Sequence, residues 1–210
     1  MVKVLIADDH PVVREGLKRI IQETPDVTVM DEAENGQEVI DKVRRNDYNA
    51  IIMDMVMPGM SGLDILKQLR SEKPKLPVLI LSMYPDDQYA IRALRAGAAG
   101  YLTKNRAAKE LIMAIRQVCS GKRYITAAVA DKLASCLEAD PSKVPHERLS
   151  DREYQVMQMI ASGKTVKEIA ETMFLSAPTI STYRSRILEK MRMKNNAEIT
   201  YYAIKHGLVD

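Results

Sequence analysis

The chain has 210 residues, 46% of them hydrophobic and 28% charged, with 9 Gly and 9 Pro, a balance that excludes wholesale disorder and suffices for one large domain or two small ones. Its 31 basic and 28 acidic residues leave a formal charge of +3, too small to argue nucleic-acid binding from net charge, so any basic surface has to be local. No stretch approaches a membrane span, the apolar run at the start is too short for a signal peptide, and Cys119 and Cys136 lack metal-ligand spacing; a cytoplasmic protein with reduced thiols is expected.

From Val2 to about Ser120, short apolar runs alternate with segments of helical period, the pattern of repeated βα units on a parallel sheet. Strands are predicted at 3–8, 27–33, 50–53, 77–82 and 100–103; four read as nearly continuous apolar runs, and the more mixed second reads as an edge. Val13, Leu17, Ile20 and Ile21 form one helix stripe, Val39, Ile40 and Val43 a second, and Leu63, Leu66 and Leu69 a third; Ile91 with Leu94, and Leu111, Ile112 with Ile115, supply the last two. Right-handed crossovers and short loops leave a flavodoxin-like α/β fold of sheet order 2-1-3-4-5, in which strands one and three are neighbours.

After Gly121 the alternation stops. A helix is predicted over 126–137 through Val129, Leu133 and Leu137, and the following segment, with Pro141 and Pro145 and no apolar period, reads as linker. From Leu149 every segment has helical period, opening on Ser150-Asp151-Arg152-Glu153, a capping box, with stop signals at Gly163 and Gly207. The expected organisation is an α/β domain at 1–121, a linker with a helix at 122–146, and an all-α domain at 147–210.

Polar residues stand where the apolar strands run out: Asp8 and Asp9 after the first, Asp54 after the third, Ser82 at the end of the fourth, and Lys104 after the fifth. In an open parallel sheet the chemistry collects at the carboxyl ends of the strands, so these groups are expected to converge. Each close pair of carboxylates costs on the order of 4 kcal/mol at an effective dielectric near 20, so the cluster calls for a cation, and a hard divalent ion, Mg²⁺, suits carboxylates, a backbone carbonyl and phosphate oxygens. Ser82 and Lys104 are placed to meet phosphoryl oxygens, and Asp54, ahead of a loop with Pro58-Gly59, is the candidate nucleophile for an acyl phosphate. Asp9 also reads as a cap for the helix beginning at Pro11.

With Tyr101 three residues before Lys104, this order of residues resembles the receiver domain of bacterial two-component response regulators. The resemblance implies Mg²⁺ held by Asp9, Asp54 and the Val56 carbonyl with Asp8 nearby, a sensor histidine kinase as phosphodonor, and a switch in which Ser82 and Tyr101 move. Val56 is apolar where many relatives carry a polar group.

Further along, 165–173 and 176–191 read as two helices with a tight connection, a helix-turn-helix signature. Ile180, Ile187, Leu188 and Met191 are expected to face inward, and Ser181, Thr182 and Ser185 outward toward base edges. Arg184, Arg186, Lys190, Arg192 and Lys194 outnumber Glu189, a local excess suited to phosphate contacts. Thr179, Ser181, Thr182, Arg184, Ser185, Arg186 and Lys190 are the DNA-binding candidates.

The segment from Leu149, with Lys167-Glu168-Ile169-Ala170, Thr179-Ile180 and His206-Gly207-Leu208, resembles the LuxR-type DNA-binding domain; together the halves resemble the NarL/FixJ family, and Thr182-Tyr183-Arg184 with the ending Ile204-Lys205-His206-Gly207-Leu208 most resembles its GacA-type subgroup. A single helix-turn-helix buries little DNA surface, so a homodimer on promoter DNA is expected; RNA polymerase is a further candidate partner, and no enzymatic turnover is expected. Ser181 and Ser185 stand where many relatives carry Lys. Two other readings fit parts of the pattern: a DNA-binding protein whose receiver acts independently of phosphate, and an aspartate-nucleophile phosphatase, which wants a second Asp where Val56 stands.

Overall fold

The apolar runs become parallel strands because helices cover both of their faces and leave no room for alternating polar residues. The computed structural model describes residues 1–83, 87–127, 129–131 and 145–209. The chain divides into two compact units, Met1–Ala130 and Asp131–Asp210.

In the first unit, β1 (Val2–Ala7), β2 (Val27–Ala33), β3 (Ala50–Asp54), β4 (Val78–Ser82) and β5 (Gly100–Thr103) form one sheet of order β2-β1-β3-β4-β5. All pairings are parallel, and crossovers run through α1 (Pro11–Gln22), α2 (Gly36–Arg45), α3 (Gly62–Glu72) and α4 (Asp87–Ala96), with α5 (Lys104–Cys119) closing the unit. Both β3 and β4 are buried throughout, whereas β2 is mixed and lies at an edge, as its sequence indicates. Val4, Ile6, Ile52 and Leu81 pack with Leu17 and Ile21 of α1 and with Leu111 and Ile115 of α5. Burial of each such side chain contributes about 1.5–3 kcal/mol against the conformational entropy lost on ordering.

One local expectation is corrected. Asp9 does not cap α1: His10 occupies the N-cap, no side chain caps it, and Pro11 follows at the first helical position, where its missing N–H leaves one donor fewer to satisfy. The chain beyond Gly121 also stays with the sheet for a few residues. The Tyr124 N–H donates to the Ala99 carbonyl at 2.9 Å, its carbonyl accepts from the Tyr101 N–H at 3.1 Å, and its hydroxyl bonds Glu110 at 2.5 Å.

That strap explains Gly100. A Cβ at this position would lie 2.9 Å from Leu79 Cδ1, from Tyr124 Cβ and from the Tyr124 carbonyl oxygen. Gly100→Ala is expected to destabilise the unit by about 1–3 kcal/mol through overpacking and loss of the strap; chemical denaturation checks this, and an unchanged midpoint would contradict it.

In the second unit a 3₁₀ turn (Pro145–Arg148) leads into α6 (Asp151–Ala161), α7 (Val166–Met173), α8 (Ala177–Met191) and α9 (Asn196–Lys205). Ser150 and Glu153 complete the expected capping box on α6, and Thr165 with Glu168 forms a second one on α7. Tyr154, Met157, Ile169, Met173, Ile180, Ile187, Met191, Ile199 and Leu208 are buried between the helices. The helix predicted over 126–137 falls mostly outside the described residues; Ala127 and residues 129–131 are helical. Cys119 is free and half-buried, and Cys136 lies outside the described residues. Among the described residues no helix is long and apolar enough to cross a membrane.

Candidate functional site

Strand register brings the acids together. β1 pairs with β3 up to Ala7 opposite Met53, so Asp8 and Asp54 each stand one step beyond, at the same end of the sheet. Asp54 pairs with Leu81, so Ser82 is the next residue along β4, opposite Thr103, which Lys104 follows. Ligand atoms of Asp8, Asp9, His10 and Asp54 all lie within 4.8 Å of one another.

Lys104 Nζ lies 2.8 Å from Asp54 Oδ2 and 2.7 Å from Asp8 Oδ2. Burial pushes the Asp54 carboxyl up to about 6; Lys104 opposes this, the Asp8 charge adds to it, and a hydrogen bond from the Val56 N–H lowers it. Burial alone would lower the Lys104 ammonium, but the facing Asp54 and Asp8 carboxylates outweigh it and hold the group above its ordinary value. Three carboxylates against one ammonium leave an excess of two negative charges when all three ionise.

The donors suit a hard divalent cation. Asp8 Oδ2 and Asp9 Oδ1 are buried and accept no hydrogen bond; each has a cationic neighbour (Lys104, or His10 when protonated) at ion-pair distance but outside hydrogen-bond geometry. Unsatisfied carboxylate oxygens beside a third carboxylate are what Mg²⁺ coordination satisfies, and the cluster is typical of the Mg²⁺-binding phosphorylation pocket of receiver domains. Ser82 and Tyr101 are both buried, and Val56 is half-buried.

His10 was not among the sequence candidates. Its Nδ1 lies 2.8 Å from Asp9 Oδ1 and 3.3 Å from Asp8 Oδ1, and its backbone N–H donates to Asp8 Oδ1 at 2.9 Å. The signal was its position directly after Asp8-Asp9, in the residue that enters α1.

In the second unit, α7, a tight turn with Phe174 in the left-handed region, and α8 form the helix-turn-helix. Ser181, Thr182, Ser185 and Arg186 are exposed on α8, and Thr179 and Arg184 are half-buried. The hydroxyls of Thr182 and Ser185 donate back to the carbonyls of Pro178 and Ser181 at 3.0 and 3.1 Å, leaving their oxygens to face solvent chiefly as acceptors. Arg184 Nε donates to Asn196 Oδ1 at 2.6 Å, and Lys190 Nζ lies 2.6 Å from buried Glu153. Lys190 thus ties α8 to the start of α6, a contact invisible in the local charge count.

Residues 4–116 match the family model of the response regulator receiver domain, and residues 147–203 match that of bacterial regulatory proteins of the luxR family. The chain is 37% identical over 209 residues to response regulator UvrY of Escherichia coli K12, covering 99% of this chain and 96% of that one. It is 37% identical over 210 residues to response regulator GacA of Pseudomonas protegens, covering 100% and 99%. Among solved structures, RcsB from Salmonella enterica serovar Typhimurium, bound to promoter P1flhDC in the presence of the phosphomimetic BeF3−, superposes with a TM-score of 0.66 at 26% identity, covering 96% of this chain and 97% of that one.

The chain belongs to the NarL/FixJ-type response regulators, which join a receiver domain to a LuxR-type output domain, and it is a phosphorylation-linked transcriptional regulator. Within that class it is closely related to the GacA and UvrY regulators.

Proposed function

We propose that Asp54 accepts a phosphoryl group from a sensor histidine kinase and that the modified chain, as a homodimer in the cytoplasm, binds promoter DNA more tightly and acts there on RNA polymerase. The observation that carries this reading is the cluster of Asp8, Asp9, Asp54 and Lys104 at one end of the sheet in a chain that also holds a helix-turn-helix. The working boundaries are receiver 1–121, linker 122–146 and DNA-binding domain 147–210.

An Asp54 carboxylate oxygen attacks phosphorus in line; the new O–P bond forms as the N–P bond of the donor phosphohistidine breaks, and the imidazole leaves carrying the electron pair. Asp8, Asp9, Asp54 and the Val56 carbonyl would hold Mg²⁺, which supplies charge neutralisation at the phosphoryl oxygens. Lys104 is placed to release Asp54 and pair with a phosphoryl oxygen, while Ser82, at the neighbouring strand end, offers a hydroxyl donor. Rearrangement of Ser82 and Tyr101 then carries the change away from the pocket. Moving a two-state equilibrium from 1:99 to 99:1 takes about 5.5 kcal/mol, so dimer and DNA contacts add to what the phosphoryl group supplies.

Exposure to a small-molecule phosphodonor and Mg²⁺, followed by borohydride reduction, converts an aspartyl phosphate to homoserine. Peptide mass mapping is expected to find that residue at position 54, and reduction at another acid would overturn the assignment.

On the output side, Thr179, Ser181, Thr182 and Ser185 are assigned to base and backbone contacts, with Arg184, Arg186 and Lys190 on phosphates. Arg186 gives the clean test because it is exposed, whereas Arg184 and Lys190 also brace the domain. Arg186→Ala is expected to weaken binding across sequences and reduce the slope of log affinity against log salt by about 1; an unchanged slope would remove Arg186 from the phosphate contacts.

A further inference from the structure

β1 stops pairing with β2 and β3 at Ala7, so the Asp8 carbonyl leaves the ladder at the point where its side chain enters the acidic pocket. The acceptor is not left bare. Arg14, one turn into α1, donates from Nη1 to the Asp8 carbonyl oxygen at 2.7 Å. Its Nε donates to Glu32 Oε2 at 3.0 Å and its Nη2 to Glu34 Oε1 at 2.5 Å. The Arg14 side chain is only 9% exposed, so this is a buried cation with three separate acceptors. Lys18 completes the network at 2.8 Å from Glu32 Oε1 and also pairs with Glu15, with no hydrogen bond or ion pair to Asp8 among the described residues.

We infer that Arg14 is a positioning residue for the metal pocket, holding the β1–α1 turn by its backbone so that Asp8 and Asp9 present their carboxylates to the cation. Three further bonds fix the turn: the Asp8 N–H donates to the Ala33 carbonyl at 3.1 Å, the His10 N–H donates to Asp8 Oδ1 at 2.9 Å, and His10 pairs with Asp9. Among the described residues, Arg14 connects this turn to β2 and the loop after it through side chains. A guanidinium suits the task because its planar fork serves three acceptors at fixed angles, and an ammonium does not reproduce that geometry. Outer groups that orient metal ligands typically affect affinity by ten- to a hundredfold.

This inference rests on the pocket being a Mg²⁺ site. The test is calorimetric titration of the full chain with MgCl₂, alongside thermal unfolding of the Mg²⁺-free protein. Arg14→Ala is expected to weaken Mg²⁺ binding by about tenfold or more, Arg14→Lys to weaken it less, and Lys18→Ala to leave it unchanged while lowering the melting temperature. Folded Arg14→Ala with normal affinity would overturn the inference; should that variant not fold, wild-type affinity in Arg14→Lys would do so. Equal losses in Arg14→Ala and Lys18→Ala would also overturn it, since they would mean general loosening rather than positioning. Asp9→Asn separates the two levels. Mg²⁺ binding lost there but intact in Arg14→Ala removes only the role of Arg14, whereas a wild-type chain that binds no Mg²⁺ brings down both this inference and the pocket's assignment.

Discussion

Asp54→Asn is expected to abolish acyl-phosphate formation and, with it, any gain in DNA affinity on addition of phosphodonor. The amide is nearly isosteric but lacks the nucleophilic oxygen anion, and it removes one of the three clustered carboxylates that would hold the cation. Because Asp54 is buried beside Lys104, the substitution leaves the ammonium with Asp8 as its remaining close partner, so the folded state is retained. Phosphate incorporation measured with donor and Mg²⁺ should fall to background. Normal incorporation in this variant would place the acceptor elsewhere.

The second large effect concerns stability of the Mg²⁺-free protein. The Asp54 carboxyl rises from an ordinary 3.8 to about 6 on folding, with burial the first cause. Between those values the folded state binds more protons than the unfolded chain, so stability falls as pH rises from about 4 to about 6 and then levels off. By linkage the loss amounts to about 3 kcal/mol at neutral pH. Mg²⁺ binds the ionised cluster and competes with protons, so it should raise the melting temperature at pH 7.5 and do little at pH 5. Asp54→Asn has no carboxyl to ionise there and should lose most of that pH dependence, leaving the Mg²⁺-free variant more stable than the native chain at neutral pH. A wild-type melting temperature that rises from pH 5 to pH 7.5 without Mg²⁺ would contradict this account.

Much of the sheet and its pocket was legible because acids interrupt apolar runs at strand ends. Once the runs are ordered 2-1-3-4-5, Asp8, Asp9, Asp54 and Lys104 come together at one end of the sheet. The all-α unit was legible for a related reason: Ser150 caps its first helix and Ser176 the second helix of the helix-turn-helix, each ahead of residues with helical apolar period. What escaped were contacts between residues remote in sequence. Arg14 reads as one charge on an amphipathic helix, yet it reaches the Asp8 carbonyl, Glu32 of β2 and Glu34 in the loop after it. Lys190 reads as part of a basic run, yet it pairs with Glu153, 37 residues earlier. Tyr124 reads as linker, and only the backbone of β5 shows that it extends the sheet. Asp9 was misread as a cap because capping preference is local, whereas its partner His10 and the neighbouring acids are set by how the turn folds back.

The central claim is that a phosphoryl group on one buried carboxylate changes how tightly the helix-turn-helix holds DNA. Gel-shift titration of the full chain against promoter-derived and random duplexes, with and without a small-molecule phosphodonor and Mg²⁺, measures both ends together. A donor-dependent rise in affinity for promoter DNA, absent in Asp54→Asn, is the predicted result; equal affinity with and without donor, in a chain shown to be phosphorylated, would contradict it.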